Sequence, residues 1–505
     1  MMHPLSFPGG LPVLSLVIFA PLVAAVVLAF LPGGRLARVW TLMATVFIAI
    51  GSLALAAGFD SSTAGYQFVE HRPWIESLHM HYFLGVDGVS VPLILLTTLM
   101  TPLCVLASWR AVSLRVKEFM IALLVMESAM VGVFSALDFV LFFVFWEAML
   151  IPMSLMIGVW GGPRRVYAAL KFFIYTMAGS VFLLVAIVAL HFWDPQHPTF
   201  SIPELVGRPY GTEFQLWVFA AFFVSFAIKV PMFPFHTWLP SAHVEAPTAG
   251  SVILASVLLK MGAYGFLRFC LPITPVASIQ ASVVVQWLSI AAILYGGFAA
   301  LGQSDLKKLV AYSSISHMGF ATWGIFSLTT DGMRGGALVL LNHGITTGAL
   351  FICVGAIYER LHTRELAACA GLGRSMPALA GLLGIFCLSS MAFPGTNSFI
   401  GEFLVMSGGF SVSQLSIVAV VPGVVAAAAY NLRLLQKFAY GGVDNPDHGG
   451  VPGLRLAEMV ALVPLALLVV WIGLAPGLLV EMMAPSLDNL LQQTQAALAS
   501  AAVHP

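Results

Sequence analysis

Residues 225–265 read SFAIKVPMFPFHTWLPSAHVEAPTAGSVILASVLLKMGAYG. Lys229 and Lys260 each sit inside an apolar run long enough to cross a bilayer. Between them lie Pro231, Pro234, Pro240, Pro247, His236, His243 and Glu245. A charge near the centre of a membrane helix costs roughly 2.5–3.5 kcal/mol on insertion scales, so by default it marks an ion pathway. Pro231 and Pro234 remove backbone donors and predict a helix break just after Lys229. Broken helices at membrane depth survive only where they line a cavity or are buried in protein.

The rest of the composition agrees with a membrane setting. The 505-residue chain is 60% hydrophobic and 9% charged, with mean hydropathy +0.96. Soluble domains carry about 25% charged residues. The formal net charge is zero, so nothing draws a nucleic acid. The five cysteines are scattered and form no C-x-x-C pair, which argues against a zinc or iron–sulfur site. Neither G-x-G-x-x-G nor a Walker A sequence occurs. No metal, nucleotide or redox group is therefore expected in this chain. The first apolar run has no basic leader and no A-x-A-like cleavage site, which reads as a retained span.

At about 20 apolar residues per span, the chain divides into about fourteen. They begin near Leu11, Leu36, Val86, Glu118, Leu137, Ala169, Phe214, Pro247, Val276, Leu306, Met333, Pro377, Val412 and Arg455. With the N-terminus outside, the inner loops hold Arg35, Arg38, Arg110, Arg115, Lys117, Arg164, Arg165, Lys307, Lys308, Arg360, Arg364, Arg374 and Arg455. The outer loops hold Arg72, Arg208, Arg268 and Arg334. That asymmetry is the positive-inside bias, and it places both termini outside. The fold class is all-α, a polytopic membrane protein. Phe59–Tyr82 carries His71, His79 and His81 at no common metal-ligand spacing, so it reads as an interfacial loop. Asp87 is expected to fix the start of the third span, and Asp138 to be solvated at the outer end of the fifth. Glu481–Pro505 reads as an amphipathic helix at the surface.

The break after Lys229 has a counterpart five spans later. In SSMAFPGTNSFIGEF, Pro394-Gly395 interrupts the twelfth span just before Glu402. Paired interrupted spans are the sequence pointer to an inverted-repeat transporter. The predicted units are a three-helix segment (1–116), two five-helix repeats (117–272 and 273–441) of opposite orientation, and a last span with its tail (442–505).

Glu147, in FFVFWEAMLIPM, lies near the middle of the fifth span with no cation in its own helix. Lys229 is its natural partner, and the two charged groups are expected within about 4–6 Å. A static buried pair is a poor source of stability, which favours a functional role. Lys260 has no acid in its own span and reads as a relay, as does Glu402 in the second half. His317, in AYSSISHMGF, and His343, in LLNHGITTGAL, stand among hydroxyls that can hold water, and histidine titrates near neutral pH. The predicted axis runs Glu147, Lys229, Lys260, His317, His343, Glu402. His236, His243 and Glu245 form the expected proton uptake site at the inner face. Glu127, in VMESAMVG, either joins the Glu147 group or makes a subunit contact.

The stretch 225–265, with FLGVDGVSVPL, FFVFWEAMLIP, SSISHMGF and FPGTNSFIGEF, resembles the antiporter-like proton-pumping membrane subunits of respiratory complex I and the related Mrp-type Na⁺/H⁺ antiporters. The resemblance covers most of the chain. It implies Glu147 and Lys229 as the paired carboxylate and lysine, Lys260 as the central relay and Glu402 as the terminal group. Sister branches usually carry lysine where Glu402 stands, and one has a much longer C-terminal helix. The resemblance further implies a multi-pass protein of a bacterial inner membrane, surrounded by lipid and by neighbouring antiporter-like subunits. Proton movement would be driven by redox chemistry elsewhere, with NADH, FMN, iron–sulfur clusters and quinone held by partner subunits. A Mrp-type antiporter subunit and a membrane subunit of an inorganic-carbon uptake complex share the same features. The partners that co-purify would separate the three.

Overall fold

The computed structural model describes residues 12–441 and 450–503. The expected first-span start at Leu11 and the expected unit boundary at 442 lie outside the described residues. The chain is mostly helical. It opens with α1 (Val13–Phe30) and α2 (Arg35–Ala57), then strands β1 (Gln67–Ile75) and β2 (Met80–Val86). The first half continues with α3 (Ser90–Ala107), α4 (Val116–Ser135), α5 (Phe139–Ala148), α6 (Leu150–Trp160), α7 (Arg165–His191), the short α8 (Ile202–Leu205), α9 (Thr212–Lys229) and α10 (Trp238–Glu245). One long rod, Thr248–Ile273, comprises α11 (Thr248–Ile253), α12 (Leu259–Gly265) and α13 (Leu271–Ile273), joined by π-helical turns at Leu254–Leu258 and Phe266–Cys270. There follow α14 (Pro275–Leu301), α15 (Leu306–Phe326), α16 (Thr330–Leu361), α17 (Pro377–Ser390), α18 (Asn397–Val412), α19 (Gln414–Tyr440), α20 (Leu456–Leu474) and α21 (Gly477–Val503).

Among the described residues, twelve helices are long and apolar enough to cross a membrane. The other two expected spans are helical as well. α15 carries two lysines, three serines and a histidine, and α17–α18 is interrupted at Met391–Thr396. Helices that are apolar all round are buried, whereas lipid-facing ones are not shielded by protein. Thr248–Ile273 and α16 are each 100% buried across their most apolar window, against 28% for α2 and 39% for α1, α7 and α19. The two innermost helices are those that carry Lys260 and His343.

One element departs from the otherwise helical architecture. Gln67–Ile75 and Met80–Val86 form a two-stranded antiparallel sheet, with Gln67 opposite Val86 and Arg72 opposite Tyr82. The segment read as an interfacial loop is this hairpin. Its aromatic and β-branched content favours strands, a signal overshadowed by its histidines. His71 and His81 rings lie 5.0 Å apart across the strands. Among the described residues no group of histidines, cysteines and acids has metal-ligating geometry.

Loops gather on two faces. On one, Leu137 N donates to Phe83 O (2.8 Å), Ile202 N to Leu137 O (2.9 Å) and Gly88 N to Ser486 Oγ (3.1 Å), which ties hairpin, α5, α8 and α21 together. On the other, Gly162 N donates to Glu245 O (2.9 Å), Leu306 N to Arg364 O (2.9 Å) and Gly371 N to Lys437 O (3.0 Å). Most of the lysine- and arginine-rich loops share this second face. Asp87 starts α3 as expected, accepting from Val89 N and Ser90 N. Asp138 is not solvated. It is buried, caps α5 through Val140 N and Leu141 N, and accepts from His81 N at 3.1 Å.

Candidate proton pathway

Lys229 is the last residue of α9, where Pro231 and Pro234 stop the helix. The carbonyls freed at a helix end need donors. Trp238 Nε1 supplies one to Ile228 O at 2.9 Å, folding α10 back under the break. Lys229 is buried. Its Nζ lies over the Trp146 ring, 4.7 Å from the ring centre. Glu147 follows Trp146 on α5 and is half-buried. Its charge acts on Lys229, yet no ion pair within 4.0 Å joins them among the described residues. The two charged groups thus share one neighbourhood at more than 4.0 Å. α5 ends one residue after Glu147, at Ala148, and Pro152 accounts for it. Proline has no N–H for the carbonyl four residues back and its ring clashes there. The signal for this break is Pro152 in FWEAMLIP.

Lys260 opens the second link. The π-helical turn Leu254–Leu258 precedes it, and such bulges recur at functional sites. The Lys260 ammonium donates to Ala255 O and, at 2.6 Å, to His343 Nδ1 on α16. Close approach of the two helices depends on Gly344, where a Cβ would stand 2.8 Å from Ser256 O. Ser256 Oγ in turn donates to Gly344 O at 2.8 Å. With Nδ1 accepting, the neutral His343 ring carries its proton on Nε2. That atom is buried without a hydrogen-bond partner.

His343 and His317 stand 5.8 Å apart, ring centre to ring centre, and both line a cavity with Asn342, Thr346, Ser390 and Glu402. Its volume is about 10 Å³, close to the 10–15 Å³ that one water needs. Its lining offers the two to four polar partners a water needs. On α15, His317 Nδ1 meets Glu402 Oε1 of α18 at 2.9 Å. Its Nε2 lies 3.3 Å from both Ser390 Oγ and Tyr430 Oη. Hydroxyls can donate to Nε2 while Nδ1–H donates to the carboxylate, so one tautomer satisfies the whole set. The α17–α18 break is stitched to α16 by Asn342 Nδ2 donating to Asn397 O (2.7 Å) and Asn397 Nδ2 to Asn342 O (3.3 Å). Tyr430 and Asn397 carried no signal strong enough to be singled out from the sequence.

The three residues assigned to proton uptake divide. His236 and Glu245 line one polar cavity of about 360 Å³ with Arg164, Lys171, Lys308 and Tyr312. Glu245 accepts from Arg164 N at 2.9 Å. His243 is fully buried, stacks on Phe351 at 4.5 Å and leaves both ring nitrogens without hydrogen bonds. Glu127 is also fully buried, so it does not offer a subunit contact. It lies beside Thr101 and Cys104 of α3, with the Thr101 hydroxyl as its nearest polar neighbour.

Comparison with known proteins adds the family. Residues 136–428 match the family described as NADH:quinone oxidoreductase/Mrp antiporter, TM, and residues 16–133 the one described as NADH-ubiquinone oxidoreductase chain 4, amino terminus. The chain is 46% identical to NADH-quinone oxidoreductase subunit M of Rhodobacter capsulatus, covering 97% of this chain and 98% of that one. It is 42% identical to NADH-ubiquinone oxidoreductase chain 4 of Arabidopsis thaliana, covering 95% and 97%. A chain of respiratory complex I from Thermus thermophilus superposes with TM-score 0.88 at 32% identity, covering 95% and 99%. The chain belongs to the subunit M/chain 4 family of NADH:quinone oxidoreductase, the proton-translocating antiporter-like membrane subunits of complex I.

Proposed function

We propose that protons cross this subunit along Lys229, Lys260, His343, His317 and Glu402, with Glu147 acting on Lys229 from α5. The observation that carries this reading is the contact of Lys260 with His343 at 2.6 Å, followed by a water-sized cavity that opens on His317 and Glu402. Proton exchange needs groups within hydrogen-bond reach, directly or through one water. The order differs from position in the chain, since His343 precedes His317 along the route. Protons enter from the lysine- and arginine-rich face by way of His236, Glu245 and then His243, and leave near Glu402. That face is the cytoplasmic side of a bacterial inner membrane, with both termini on the opposite side. The two five-helix units each hold one half of the route. Neighbouring antiporter-like subunits flank the chain in the membrane, and the redox groups belong to other subunits.

The test is proton translocation by the assembled complex in proteoliposomes, driven by NADH and quinone. Lys260→Ala and Glu147→Gln should each lower it by about tenfold or more, with the amount of assembled complex unchanged. Normal translocation in assembled Lys260→Ala would refute the route.

A further inference from the structure

Lys229 is a buried ammonium with no carboxylate at ion-pair distance among the described residues, and the aromatic face beneath it is Trp146. The indole is itself held. Its Nε1 donates to Ser180 Oγ of α7 at 3.1 Å, Phe226 of α9 meets it edge-on at 5.9 Å, and Phe142 packs at 5.6 Å. Only 2% of Trp146 is exposed. A tryptophan face attracts a cation through its quadrupole, more strongly than tyrosine or phenylalanine, and most strongly where water is excluded. Glu147, the next residue of α5, acts on the same ammonium from a different direction, so the last turn of α5 offers it two different seats.

We infer that Trp146 is a positioning residue for Lys229: its ring is the resting seat of the ammonium when the Glu147 pair is open. The two seats differ in chemistry. A carboxylate can take a proton from lysine; an indole face has no lone pair to take one. While Lys229 rests on Trp146, its charge is stabilised without any risk of proton return to Glu147. The inference rests on the proposed route, because it gives a role to the open state of that pair.

The experiment places fluorinated tryptophans at Trp146 by nonsense suppression in the full complex. Fluorine drains the ring quadrupole with little change in shape. Proton translocation should fall stepwise as fluorines are added, and Trp146→Leu should lose on the order of tenfold. Trp146→Phe, which keeps an aromatic face, should retain more than Trp146→Leu. Ser180→Ala, which removes only the indole hydrogen bond, should fall between parent and Trp146→Leu. A flat response across the fluorinated series would overturn the inference and leave Trp146 as packing. Normal translocation in Lys229→Ala would instead overturn the route itself, so the two failures are distinct.

Discussion

Lys260 shows how a single side chain can be both expensive and useful. Its charge has no acid nearby in its own helix, and it is satisfied by a carbonyl and an imidazole nitrogen instead. Both acceptors are met by one compact ammonium, whereas a guanidinium presents its donors in a rigid planar fork of different reach. Lys260→Arg should therefore keep the charge yet lower proton translocation by about tenfold, measured on assembled complex in proteoliposomes. A second, partly buried cation, Arg268, has the opposite character. It was expected in an outer loop but lies in the π-helical turn Phe266–Cys270, bonded to Asp87 Oδ1 (2.8 Å), Tyr66 Oη (3.0 Å) and Tyr264 Oη (3.1 Å). Burial alone would raise the Asp87 carboxyl, but the Arg268 charge and its hydrogen bonds more than offset it and hold the group below its usual range. A depressed carboxyl stabilises the fold above its unfolded pKa of about 3.9 and loses that contribution only as pH falls through its lower folded value. Asp87→Asn should cost about 3–5 kcal/mol, as for one partner of a buried pair. Thermal unfolding of the purified complex should show this loss at neutral pH, shrinking toward zero in strong acid.

At the scale of elements, the route depends on helices that stop or loosen where a charge sits. α9 ends at Lys229, α5 one residue past Glu147, and the break between α17 and α18 lies six residues before Glu402 at its nearer edge. The Lys260 rod loosens through a π turn just before the lysine. Three of these four have a proline to explain them; the π turn has none, and nothing in VILASVLL announces it. Close contact between α12 and the end of α9 needs Gly262. A Cβ there would stand 2.7 Å from Phe226 O and 2.9 Å from Val230 N, and backbone atoms cannot move aside cheaply. Gly262→Ala should destabilise by about 1–3 kcal/mol, as overpacking does, and should push the Lys229 break away from Lys260. A drop in melting temperature together with impaired translocation would bear this out. Unchanged values of both would show that the contact yields freely.

For the whole molecule, the two loop faces make orientation testable. All five cysteines are free and buried, so the parent gives little background to a membrane-impermeant thiol reagent. Ser61 and Ser113 are exposed and lie in loops at opposite ends of the bundle. Ser61→Cys should label in intact cells stripped of outer membrane, and Ser113→Cys only after the inner membrane is opened. Labelling in the reverse order would invert the proposed direction of proton movement without disturbing the route.

The approximate number and position of the helical spans, the proline breaks and most of the buried ionisable residues could be read from the amino acids alone. Each of those properties is local: apolar length, a missing N–H at proline, or a charge within a greasy run. The partnerships were another matter. Lys260 meets His343 across 83 positions, and His317 meets Glu402 across 85. Nothing within one helix encodes which residue of another it will face. That is set when α16 packs between the π turn and the α17–α18 break, at a spacing fixed by Gly344 and by the Asn342–Asn397 pair. The same packing turned Asp138 from an assumed surface acid into a buried cap, and put the Trp146 ring beneath Lys229 where a carboxylate was expected.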